Sequence, residues 1–253
     1  MLSVTVLLVV SLTASSFAAP TRGVLNDAYN YSEDLAQYFS RVSRHIDTAN
    51  GNRNRKPICG VSNISLPSST LPIPTNLKIR YVAVGRGTQN YTCSSSSPDV
   101  APVAAGAIAN LYDVTCIAAN YPDLMPILPK VAYSIPLPGD EFSPLPPANT
   151  GLIGHHFFRD ATTPVFNLDT TSSQQYGIAI TKKVGSFGAP SNSLQGANGA
   201  VPWLYLTTIN GTIGDYRSVY RVETAGGQPP KTCENLPSDF TVQYAANYYF
   251  YGK

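Results

Sequence analysis

Along most of this chain apolar and polar residues alternate with a period of two, the pattern of strands that bury one face. Leu77, Ile79 and Tyr81 alternate with Lys78 and Arg80, and Ile178 and Ile180 alternate with Ala179 and Thr181. Trp203, Tyr205 and Ile209 lie opposite Leu204 and Leu206. The clearest case comes last: Phe240, Val242, Tyr244, Ala246, Tyr248 and Phe250 project one way, Thr241, Gln243, Asn247, Tyr249 and Tyr251 the other. That stretch predicts an apolar face and a wet face. It therefore favours an antiparallel sheet, because parallel strands covered on both sides read as continuous apolar runs. Asn210-Gly211, between the strand candidates 203–209 and 218–224, marks a hairpin in which glycine tolerates positive φ. The fold expected is all-β, an antiparallel β-barrel or β-sandwich of about 7–10 strands.

One segment departs from the alternation. Leu35, Tyr38, Phe39, Val42 and Ile46 recur at helical spacing, and Ser32 with Glu33 and Asp34 makes a helix start. This predicts a single N-terminal helix from about Ser32 to Ile46, followed by a polar linker to Pro57. A pro-segment, a docking element and a strut across a barrel all suit such a helix. Its apolar stripe needs cover, which favours packing on the sheet domain, with Arg41, Arg44 and His45 forming a solvated face. Between Tyr121 and Pro147 stand eight prolines, each lacking an N–H, so that stretch reads as a long surface excursion. The expected organisation is a leader at 1–18, a helix and linker at 19–70, and a β-domain at 71–253 with a proline-rich insertion at 121–147.

The leader changes the picture of compartment. An uncharged apolar run from Val4 to Leu12 is too short to span a bilayer, and Ser16 and Ala18 place small residues for cleavage after Ala18. The expected product is secreted, extracellular or cell-wall associated. Its 13% charged residues and formal net charge of +2 make too weak a field for nucleic acid or an anionic membrane, and no second apolar run is long enough for a membrane span. Cys59, Cys93, Cys116 and Cys233 are an even set for an oxidising compartment, which predicts two disulfides with three pairings open. None lies in a C-x-x-C, so zinc and redox roles are not expected. Sequons at Asn30, Asn63, Asn90 and Asn210 suit the same compartment.

Catalytic motifs are sparse. There is no G-x-S-x-G elbow, no H-E-x-x-H, no phosphate loop and no calcium loop. Gly85-Arg-Gly87 starts a dinucleotide fingerprint but lacks its third glycine and the following helix, so no cofactor and no metal are expected. His155 and His156 are the most suggestive pair, with Asp160 nearby. On an extended strand their side chains point to opposite faces and cannot chelate one ion. His156, His155 and Asp160 are the catalytic candidates, against the plainer reading of a histidine hydrogen-bonded in the sheet. Asp140-Glu141 reads as solvated. Tyr249 and Tyr251 with Gln243 and Asn247 form a candidate ligand platform on which sugar rings stack, although strand propensity alone accounts for tyrosines there.

Five segments in order, Val84-Gly-Arg-Gly-Thr-Gln-Asn-Tyr-Thr-Cys93, Gly154-His-His-Phe157, Val201-Pro-Trp-Leu-Tyr-Leu206, Val219-Tyr-Arg-Val-Glu-Thr-Ala-Gly-Gly227 and Val242-Gln-Tyr-Ala-Ala-Asn-Tyr-Tyr-Phe-Tyr251, resemble the successive motifs of the secreted family called domain of unknown function 3455. The resemblance covers roughly Leu71 to Tyr251 and implies an extracellular β-rich domain, found in filamentous fungi and bacteria, with no established activity. Some relatives carry the name malate dehydrogenase, which an all-β chain without a nucleotide loop contradicts. The resemblance also implies the pairing Cys93 to Cys233 and Cys59 to Cys116, and puts His156 on the motif's histidine. The function expected is a secreted, disulfide-bonded, glycosylated protein that binds a cell wall, a glycan or a host surface. The alternative is a small β-barrel enzyme or ligand carrier using a pocket histidine.

Overall fold

A computed structural model describes residues 22–51, 59–135, 144–146 and 149–253, with side chains of the first stretch described at 33–46 and 48. The leader, the Asn30 side chain and Asp140-Glu141 lie outside the described residues. The described residues contain eight strands: β1 (Lys78–Thr92), β2 (Val103–Asp113), β3 (Leu152–Phe158), β4 (Pro164–Thr171), β5 (Gln174–Phe187), β6 (Trp203–Thr208), β7 (Tyr216–Gly226) and β8 (Asp239–Gly252). Each pairs antiparallel with the next, and β8 returns to pair with β1, closing a barrel. The Asn210-Gly211 turn joins β6 to β7 with Gly211 at φ 94°.

Side chains of one parity fill the barrel. Leu111, Phe166, Leu168, Tyr244, Tyr248 and Phe250 are fully buried in one cluster, so the lumen is a packed core of the kind small barrels have. The strands approach closely where the chain has no side chain. At Gly87 a Cβ would stand 1.9 Å from the Ile108 carbonyl oxygen and 2.6 Å from Ala109 Cα. Gly85-Arg-Gly87 is thus a tight piece of barrel wall. Gly87→Ala is expected to lower the unfolding free energy by about 3 kcal/mol, since backbone has to move, and urea denaturation will measure it.

A second layer covers the outside of β1, β7 and β8. It consists of α1 (Arg22–Gly51), α2 (Thr115–Asn120), α3 (Leu128–Ser134) and 3-10 turns at Val61–Asn63 and Pro122–Leu124. Leu124, Met125, Leu128 and Val131 pack with Val82, Val84, Tyr249 and Tyr251 in one buried cluster. Two expectations are corrected here. The proline-rich stretch is no surface excursion over its first half, because Pro122 and Pro129 sit in the first turns of their helices, where a missing N–H leaves nothing unpaired. The second face of β8 is not wet either: Asn247, Tyr249 and Tyr251 are buried beneath this layer.

The N-terminal helix extends beyond both expected ends. It docks through Tyr38, Leu35 and Val42. Arg41 donates to the Asp123 carbonyl, while His45 Nε2 lies 2.8 Å from Asp123 Oδ1 with its ring 4.6 Å from Tyr121. Arg41 and His45 are therefore docking residues, and only Arg44 keeps the exposed position expected of all three. Two cystines complete the frame in the pairing the resemblance implied. Cys93–Cys233 joins the end of β1 to the segment before β8, and Cys59–Cys116 ties the segment ahead of β1 to α2. No helix among the described residues is long and apolar enough to cross a membrane.

Candidate functional site

His156 points into the barrel. It is 3% exposed, stacks on Phe166 with ring centroids 4.3 Å apart, and bonds through Nδ1 to the Val165 carbonyl at 2.9 Å. Burial pushes its imidazole down to about 4, so the ring is neutral at ordinary pH. No carboxylate hydrogen-bonds to it among the described residues. His155 faces the other way, half-buried, with Nδ1 3.2 Å from Asn110 Oδ1. Asp160 sits exposed at the β3–β4 turn, where the Thr162 amide and hydroxyl donate to Oδ1 at 3.0 and 2.9 Å. Those local bonds hold its carboxyl below the usual range. The three catalytic candidates do not converge. Among the described residues no group of three His, Cys, Asp or Glu side chains is placed to hold a metal.

Concave surface lies instead where the helical layer meets the barrel. A cleft of about 1100 Å³ runs between α1, α3, the 192–198 loop and the start of β8. Its lining is rich in amides: Gln37 from α1, Asn192, Gln195 and Asn198 from the loop, and Gln243 from β8. Tyr133 and Phe240 add ring faces, and Phe240 is backed by a stacked Tyr91 at 5.6 Å. An adjoining cleft of about 460 Å³ shares Gln37, Lys130, Asn192 and Ser193 with the first. Such a surface offers donors and acceptors together with flat apolar faces, the combination that hydroxyl-rich rings match.

Two charged side chains stand behind these walls. Arg86, on the outer side of β1, is 3% exposed beneath Tyr133, whose ring centroid is 5.6 Å from the guanidinium. Its Nη2 donates to Gln243 Oε1 at 2.5 Å, its Nε has no partner, and no carboxylate pairs with it among the described residues. Glu223 lines the smaller cleft and sits at φ 51° in the β7 bulge, a conformation that costs a non-glycine residue about 1 kcal/mol. Asn247 Nδ2 donates to its Oε2 at 2.7 Å, yet burial outweighs this and pushes the carboxyl up to about 7.

The motifs, the barrel and the Cys93–Cys233 cystine fall within one comparison: the model of a protein family of unknown function, DUF3455, matches residues 74–252. The chain belongs to the DUF3455 family. A second family of unknown function, DUF2990, matches residues 10–74, so the two meet just ahead of β1. No curated protein and no solved structure matches the chain.

Within the DUF3455 barrel the tyrosine platform read from β8 is divided. Gln243 reaches the larger cleft, whereas Asn247, Tyr249 and Tyr251 are buried under the helical layer. Of the sequons, Asn63 and Asn210 are exposed and Asn90 is half-buried within β1. Arg86 and Glu223 escaped the sequence reading. Arg86 is the one charge between Tyr81 and Thr92 of β1 and Glu223 the one acid of β7, which is the signal that could have drawn attention to them. Strict alternation would also have put Glu223 on the lumen side with Arg221; the bulge turns it outward.

Proposed function

We propose that this DUF3455 protein is secreted, carries glycans at its exposed sequons and acts by binding a hydroxyl-rich polymer of a cell wall or host surface in the α1–α3 cleft. The amide-rich lining with two ring faces carries this reading, because amides pair with sugar hydroxyls in both directions while rings cover their apolar faces. Two cystines and an apolar leader support export. A packed lumen offers His156 no space for a substrate beside it, which favours binding over pocket catalysis.

Pull-down on insoluble chitin, β-glucan and pectic polysaccharide tests the reading. Retention on at least one is expected. Phe240→Ala and Asn198→Ala should each weaken it about tenfold with the circular dichroism spectrum unchanged. Failure to bind every glycan offered would end this reading.

A further inference from the structure

The charges around the larger cleft are divided by element. Among the described residues its acidic lining, Glu33 and Asp34, comes from α1, while the barrel side supplies Lys130 from α3. Arg86 adds a second positive charge just beneath the surface, in contact with the lining residues Gln243 and Tyr133 and without a carboxylate of its own among the described residues. A guanidinium so deeply placed is seldom left without an anionic partner, because removing its charge from water is costly. Lys130 meets Asp34 loosely, Nζ to Oδ1 at 4.0 Å. Burial raises the Asp34 carboxyl despite that neighbour, so Asp34 is a poorly accommodated anion where it stands. Stripped of α1, the described residues of the wall would present amides, rings and positive charge with no acid.

Resting on the glycan-binding reading, we infer that the cleft selects a carboxylate-bearing polysaccharide, a uronic acid polymer, and that Glu33 and Asp34 of α1 occupy the place of its carboxylates. The two carboxylates are then built-in competitors at the cleft, while Gln37 one turn on stays in its wall. No cysteine lies in residues 22–51, so the turn that carries them is held there by packing and polar contacts and can give way without breaking a covalent bond.

Calorimetric titration of the full chain with a short oligogalacturonate and with its methyl ester tests this. The acid should bind about tenfold more tightly than the ester, and the difference should shrink in high salt. Lys130→Met should bring the affinity for the acid down towards that for the ester, and Asp34→Asn should tighten acid binding several-fold. Arg86→Met is a weaker choice because it disturbs a buried site; the variants at the half-buried Lys130 and Asp34 keep the test open if it fails to fold. Equal affinity for acid and ester overturns the inference while sparing the glycan reading. An Asp34→Asn variant that binds no better overturns the competition. Binding of neither ligand, with retention on another glycan, also overturns it, and silence with every glycan removes the underlying reading as well.

Discussion

Alanine at both Cys93 and Cys233 is expected to lower the unfolding free energy by about 5 kcal/mol, the loop entropy released by a cross-link spanning 140 residues. The position of this cystine makes the loss large. It sits where the first and last strands of the barrel meet: Thr92 faces Asp239, the Cys93 amide donates to the Ser238 carbonyl at 2.7 Å, and the Cys233 amide to the Val100 carbonyl at 2.7 Å. Those strands are the most distant partners in sequence, and the bridge keeps their ends together in the unfolded chain as well. Removing Cys59–Cys116, with a separation of 57, should cost about 4 kcal/mol by the same reasoning. Urea titration of both double variants will show the order, and a loss under about 1 kcal/mol for the Cys93–Cys233 pair would mean the β1–β8 ladder closes the barrel unaided.

Glu223 should make stability fall with rising pH. Its carboxyl titrates near 7 in the folded chain against an ordinary value of 4.5, so the folded state binds the proton more tightly than the unfolded state. Its contribution is complete below about pH 4.5 and is lost as pH climbs through 7, a swing of about 3 kcal/mol. The cause is burial, which the Asn247 amide only partly offsets. Glu223→Gln keeps an acceptor for that amide and removes the charge. Urea midpoints at pH 5 and pH 8 should therefore converge in the variant relative to the native chain. Parallel pH profiles for the two proteins would show that Glu223 is not the group responsible.

The antiparallel sheet was legible because its strands announce themselves twice, by alternation and by turns, whereas its closure into a barrel and not a sandwich rests on the β1–β8 pairing of the two ends. Phe240 to Tyr251 and the Asn210-Gly211 turn alone identify a sheet with a buried face. Its second, buried side was hidden because tyrosine and asparagine read as solvent-facing. On β8 they bury against α3 and its flanks, with Asn247 Nδ2 also donating to the Met125 carbonyl at 2.9 Å. Proline obscured the covering helices in a similar way, since composition does not distinguish a proline that starts a helix from one that breaks a strand. Histidines drew attention by their chemistry, yet the neighbourhood that assigns His156 to packing comes from Phe166 and Val165 on the adjacent strand, a pairing no local window contains. The cleft was less legible still, because its walls come from four separated stretches.

The return of β8 onto β1 leaves the sheet without an open border. An open sheet exposes rows of unsatisfied amides and carbonyls that recruit foreign chains and seed fibrils. A ring has no such border. High protein concentration should thus be tolerated without aggregation by strand addition, for as long as the ring stays shut.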